Sequence, residues 1–220
     1  MPFATASTAA CHRTAMAVPL RGASRLSALA LAAKVALAAC LVHAVAYSDL
    51  PQYQDKAMGY RLVAYPLIAV AVPVAWWVHR RRRTACGGYP WLVDLCATLP
   101  FLFDSAGNAW HLYDRIERWD DLMHVATWVP WVVAFGLLVA PRIDDRLVLA
   151  GVIVGFGAVT HIGWEIGEYL TFVQHNPAES LGAYRDTMGD MALSLLGSVT
   201  GAALVATTRP GPSEQVGAVA

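Results

Sequence analysis

His161, Glu165 and Glu168 stand four and three residues apart inside an otherwise apolar stretch. On a helix that spacing makes one polar stripe two turns long. Imidazole and carboxylate groups so placed can ligate a first-row metal, pass a proton, or hold helices together through a closed hydrogen-bond network. The pattern HxxxExxE is not the HExxH of metalloproteases, so the constraint comes from the apolar setting rather than from a motif.

Three further groups repeat the theme. Asp104, Asn108 and His111 share a helix face, with Asp114 continuing it if the helix persists. Asp120 and Asp121 precede His124 by four and three residues, so either acid can reach the imidazole or instead cap the helix start. The Asp121–His124 pair is the one assigned to the centre. Asp186 and Asp190 lie one turn apart, Ser194 continues their face, and nearby Arg185 can meet a substrate or mark a headgroup boundary. Charges within hydrocarbon are costly and commonly line an interior site or pathway.

Mixed nitrogen and oxygen donors suit zinc, iron or manganese. The expected ligands are His111, His124, His161, Glu165 and Asp190. Asp104, Asn108 and Asp186 are assigned to a second metal or to orienting groups around the first, and Asn108 suits a bound water or ligand better than a metal. Glu168 is expected to act as a base, with Asp121 as a second catalytic carboxylate. His43 and His175 are weaker candidates, while His12, His79 and Asp94 fall towards the opposite side. Asp144–Asp145 reads as a solvated connection.

The elements that must carry these residues are membrane spans. The chain has 220 residues, of which 57% are hydrophobic and 15% charged, with no net formal charge and so no nucleic-acid signature. Apolar residues occur in six blocks, roughly 26–47, 61–79, 89–112, 122–140, 147–171 and 185–207. Each approaches or exceeds the roughly 20 residues needed to cross hydrocarbon. Asp94, Pro100, Asp104 and Asn108 interrupt the third, and Pro66, Pro73 and Pro130 fall inside others; neighbouring helices can absorb such kinks. Gly163 and Gly167 are expected to allow close helix packing. Trp76–Trp77, Tyr89/Trp91 and Trp110/Tyr113 near block ends suit the lipid interface or core packing.

Arg13, Arg21 and Arg25, the run Arg80–Arg83, Arg142, Arg146 and Arg209 mark cytoplasmic ends. Both termini are then cytoplasmic, and the acids and imidazoles gather in the outward half. The division expected is a flexible tail 1–20, a six-helix membrane domain 21–207, and a flexible tail 208–220. The fold class is an all-α polytopic bundle in the cell membrane, the inner membrane in a diderm host. Leu37–Ala38–Ala39–Cys40 looks like a lipoprotein processing box, but apolar sequence continues to Tyr47 and Lys34 breaks the preceding run, favouring an uncleaved first span. Cys11, Cys40, Cys86 and Cys96 form no CxxC pair and point to no disulfide framework.

The Asp104–His111–Asp114 region, Asp121–His124, Trp164–Glu165–Glu168 and Asp186/Asp190 resemble a widespread family of small bacterial inner-membrane proteins, often labelled YjdF-like. The resemblance covers most of residues 88–207 and implies a polytopic membrane protein, without carrying over a reaction. The residues themselves point to an outward-facing metal-dependent membrane enzyme, hydrolytic or otherwise water-activating, on a lipid or membrane-delivered substrate. A cation- or proton-coupled transporter or channel stands as the first alternative, and a structural or sensory membrane protein as the second. Expected partners are membrane lipids and a small-molecule or lipid substrate, not nucleic acid; oligomeric state is open.

Overall fold

The computed structural model describes residues 20–54, 56–82, 88–171, 173–175 and 182–208. Residues 1–19, all of the expected C-terminal tail but its first residue, and His12, Arg13, Cys11, Cys86, Arg83 and Arg209 lie outside them. The described chain is helical throughout its regular elements and divides into two compact units at Arg115/Ile116.

The first unit contains α1 (Leu20–Ala46), α2 (Met58–Arg82), α3 (Trp91–Ala109) and the single turn α4 (Leu112–Arg115). The second contains α5 (Trp119–Val139), α6 (Arg146–Thr171) and α7 (Ala183–Thr208). Short 3-10 turns occupy Pro51–Tyr53, Ala140–Arg142 and Val173–His175.

Five segments are long and apolar enough to cross a bilayer: Ser24–Ala46, Met58–Arg81, Trp119–Arg142, Arg146–His175 and Ala183–Thr208. They correspond to expected spans one, two, four, five and six. The third expected span does form a helix, α3, but its 19 residues include the two aspartates and Asn108 and do not meet the same test. The membrane class is written in what faces out. Leu29, Val35, Val42, Leu147, Val159 and Ile166 are exposed, while Asp94, Asp104, His124, His161, Asp190 and Ser194 are buried. That inversion of a water-soluble surface is stable where lipid is the solvent. The chain is a multi-pass α-helical membrane protein, as an inner-membrane location requires.

The two buried aspartates of α3 find partners inside the first unit, while Ser105 Oγ and Asn108 Oδ1 make no hydrogen bond. Lys34 on α1 pairs with buried Asp94 at 2.9 Å, donates to Thr98 Oγ1 at 3.2 Å, and bonds the Ala69 carbonyl of α2. The break that Lys34 makes in the first apolar run thus has its counterpart two spans later.

In the second unit α7 packs on both α5 and α6, around a core of Trp128, Val132, Leu149, Ile153, Ala202 and Val205. Gly201 makes the close approach possible: a Cβ there would stand 2.4 Å from Val132 Cγ2 and 2.9 Å from the Val129 carbonyl oxygen. Gly163 and Gly167, expected to do this, have no atom within 4 Å of such a Cβ. The close-packed face of α6 is instead the one bearing Gly157, the residue whose carbonyl accepts from Trp128 Nε1 at 3.1 Å.

Candidate metal centre

The second unit brings together the start of α5, the end of α6 and the start of α7, and each delivers part of one cluster. Asp120 lies in the first turn of α5 and His124 one turn on, so the i,i+4 spacing puts both on the face turned to α7. Arg118, not an aspartate, holds the N-cap position, and no side chain caps that helix. His161 and Glu165 repeat the i,i+4 relation on α6. Asp190 and Ser194 do so on α7.

His124 is the shared member. Its Nε2 stands 3.4 Å from Asp190 Oδ1 and 3.7 Å from Asp120 Oδ2, and its Nδ1 lies 3.1 Å from Ser194 Oγ. A serine oxygen can accept the Nδ1 proton, the tautomer that leaves a lone pair on Nε2. Across from it, His161 Nε2 is 3.3 Å from Glu165 Oε1. Neither ring nitrogen of buried His161, nor that carboxylate oxygen, makes a hydrogen bond. Thr187 lies within hydrogen-bonding reach of the Glu165 carboxylate. Trp128 closes the wall, stacked on His124 and edge-on to His161 with ring centroids 5.9 and 4.8 Å away.

Two triads can be drawn through these atoms, His124–His161–Glu165 and Asp120–His124–Asp190, each with ligand atoms within 4.8 Å of one another. Metal–ligand bonds of about 2.0–2.2 Å in a tetrahedral site set donors about 3.3–3.6 Å apart. The pairs at 3.3 and 3.4 Å already have that separation, and the His124–Asp120 pair at 3.7 Å is slightly wider. The buried histidine–carboxylate clusters are therefore capable of coordinating a metal ion. Four of the five expected ligands, His124, His161, Glu165 and Asp190, come together here.

Asp120, not Asp121, takes the place beside His124. Asp120 approaches the imidazole, whereas Asp121 is exposed and is an electrostatic neighbour of Asp186. Both were within reach by spacing; the α7 face that packs on α5 selects the former. Asp186 is exposed at the mouth of the cluster, and Glu168, partly buried, adds its charge to that around Asp190. Trp128 was not anticipated, and no ligand spacing marks it. Its position one turn after His124 was the available signal.

His111, Asp104 and Asn108 belong to the first unit. There α3 ends at Ala109, and His111 adopts φ 59°, a left-handed conformation uncommon outside glycine. The polar face expected to run from Asp104 to Asp114 on one helix thus stops at Asn108. Asp104 accepts from Tyr65 at 2.6 Å and Tyr113 at 3.0 Å, lies 3.6 Å from Arg61, and is bonded by Asn108 Nδ2. It is a satisfied carboxylate. His111 Nε2 contacts Asp114 at 3.0 Å, and Lys56 meets the same carboxylate at 2.7 Å. His43 is not isolated either: its Nδ1 lies 2.6 Å from the Tyr53 hydroxyl. Burial, then the nearby Cys40, pushes that phenol above its ordinary pKa.

Fold and cluster together define a polytopic helical membrane protein with an internal histidine–carboxylate centre. Residues 29–210 match the family described as Predicted membrane protein (DUF2238), and the chain belongs to that family. Comparison with curated proteins and with solved structures gives no match for either.

Proposed function

We propose that the chain is a metal-dependent membrane enzyme whose centre is built on His124, His161, Glu165 and Asp190, with Asp120 completing the donor set. The supporting observation is His161, buried with both nitrogens unbonded and facing an equally unbonded Glu165 oxygen. Buried polar atoms are normally paired, and each exception calls for a reason. A cation on Nε2 and Oε1 supplies one. It also balances the anions gathered around two imidazoles, which would otherwise repel one another in a low-dielectric setting.

Zinc, iron or manganese fits the donor types. Such an ion activates water near neutral pH and polarises an ester or phosphoryl oxygen. The protein's own groups supply the rest. Ser194 fixes the His124 ring, Trp128 packs against both imidazole rings and limits the entry of solvent, and Glu168, whose charge acts on Asp190, receives the proton from an attacking water. Hydrolysis of a lipid or membrane-delivered substrate suits a centre reached from within a bundle.

In this reading α3 also crosses the bilayer, its charges neutralised by Lys34 and Arg61, and six crossings put both termini on the cytoplasmic side. Arg25, Arg80, Arg81, Arg142 and Arg146 at the corresponding helix ends support that topology. The proposal includes kinship with the YjdF-like proteins, which implies a polytopic membrane protein and no particular reaction.

Full-length protein purified in lipid nanodiscs tests the proposal. Stoichiometric metal is expected, with its removal abolishing turnover and Glu165→Gln reducing metal content. Metal-free protein with unchanged turnover would refute the enzyme reading. A cation carrier is the competing reading, supported by the presence of two triads rather than one. Gradient-driven cation movement in sealed liposomes without chemical turnover would favour it.

A further inference from the structure

Building on the metal reading above, we infer that the second unit holds one cation that has two alternative seats pivoting on His124: a capture seat of Asp120, His124 and Asp190, and an inner seat of His124, His161 and Glu165. Both triads contain His124. In the tautomer whose Nδ1 donates to Ser194 Oγ, the ring offers one lone pair, on Nε2, and one nitrogen lone pair binds one ion. The triads are therefore successive positions and not a two-metal pair.

The exposure of one ligand, Asp120, orders them. The Asp120 side chain is 49% exposed, while those of Asp190, His161 and Glu165 are 5%, 4% and 11% exposed. Exposed Asp121 and Asp186 extend the negative charge outward from Asp120. Ligand chemistry follows the same order. Two carboxylates and one imidazole accept a hydrated, hard divalent ion readily, whereas two imidazoles and one carboxylate hold a partly dehydrated transition metal. The unbonded nitrogens of His161 are the receiving end. Trp128, packed against both rings, keeps water from following. The ion needs to travel only the few ångströms between triads that share a ligand, and selection for nitrogen-loving metals takes place at the second seat.

Cobalt(II) titration of the full chain in nanodiscs separates the seats, because nitrogen-rich, low-coordinate cobalt absorbs visible light strongly and oxygen-rich, six-coordinate cobalt weakly. Wild type is expected to take up one equivalent with strong absorption. His161→Asn is expected to keep one equivalent in the weakly absorbing form, with Kd raised about tenfold or more. Asp120→Asn, at a half-exposed helix end where folding is not at risk, is expected to keep the strong band but load about tenfold more slowly. Two equivalents in wild type, complete loss of binding in a folded His161→Asn protein, or wild-type loading by Asp120→Asn would overturn the two-seat inference while leaving a metal site in place. Failure of wild type to bind any cobalt, zinc, iron or manganese would overturn both.

Discussion

A buried polar group without a hydrogen bond costs about 1–3 kcal/mol, so His161 is expensive to keep as it stands. That cost separates a ligand from a structural residue. If His161 waits for a cation, His161→Leu should raise the stability of metal-stripped protein by about 1–3 kcal/mol while abolishing the stabilisation that added metal gives. Thermal unfolding with and without chelator reads both effects, and a fall in metal-free stability would mark the residue as structural. Ser194 acts on the metal only through His124, so Ser194→Ala should weaken metal binding about 10–100-fold without removing a ligand. A direct titration of metal affinity checks it. The cluster was legible in the sequence where one helix supplied the spacing, as in His161/Glu165. It was ambiguous where two neighbours fitted equally, as with Asp120 and Asp121, since the choice lies with α7, whose facing residues cannot be read from α5. The His111 assignment depended on helix continuation past Ala109, and the positive φ at His111 ends that face.

At the level of helices, the second unit rests on close approach at small residues. Gly201→Ala would drive a methyl group into the Val129 carbonyl and Val132, and should cost about 1–3 kcal/mol. Gly163→Ala enters open space and should be neutral or stabilising by up to about 1 kcal/mol through helix propensity. Denaturation in detergent micelles compares the two, and equal effects would contradict the packing described. Both positions read alike in sequence, because a glycine on a helix does not announce which face is covered. In the first unit, Lys34→Met or Asp94→Asn alone should destabilise by about 3–5 kcal/mol by stranding a buried charge or its partner. The double substitution should recover much of that loss, a coupling a double-mutant cycle measures. Sequence showed each charge as an interruption in an apolar run. Only the packing of α1 on α3 shows that the two interruptions cancel.

For the molecule as a whole, hydropathy carried most of the architecture: five of six expected spans are long apolar helices, and the sixth is a helix whose polar residues turn inward. Block length could not grade α3, since its membrane fitness depends on partners elsewhere in the chain. Reporter fusions at the two termini should place both in the same compartment if α3 crosses, and in opposite compartments if it does not. The distribution of function over the chain is uneven. Among the described residues the first unit pairs its carboxylates with lysine, arginine and tyrosine, whereas the second surrounds two imidazoles with acids. Anomalous diffraction from crystals of the purified full-length protein, grown with its native metal retained, tests that contrast most directly. A single peak bounded by His124, His161 and Glu165, or by His124, Asp120 and Asp190, is the expected result. Refined side chains at full occupancy with no anomalous density between them would contradict the metal centre.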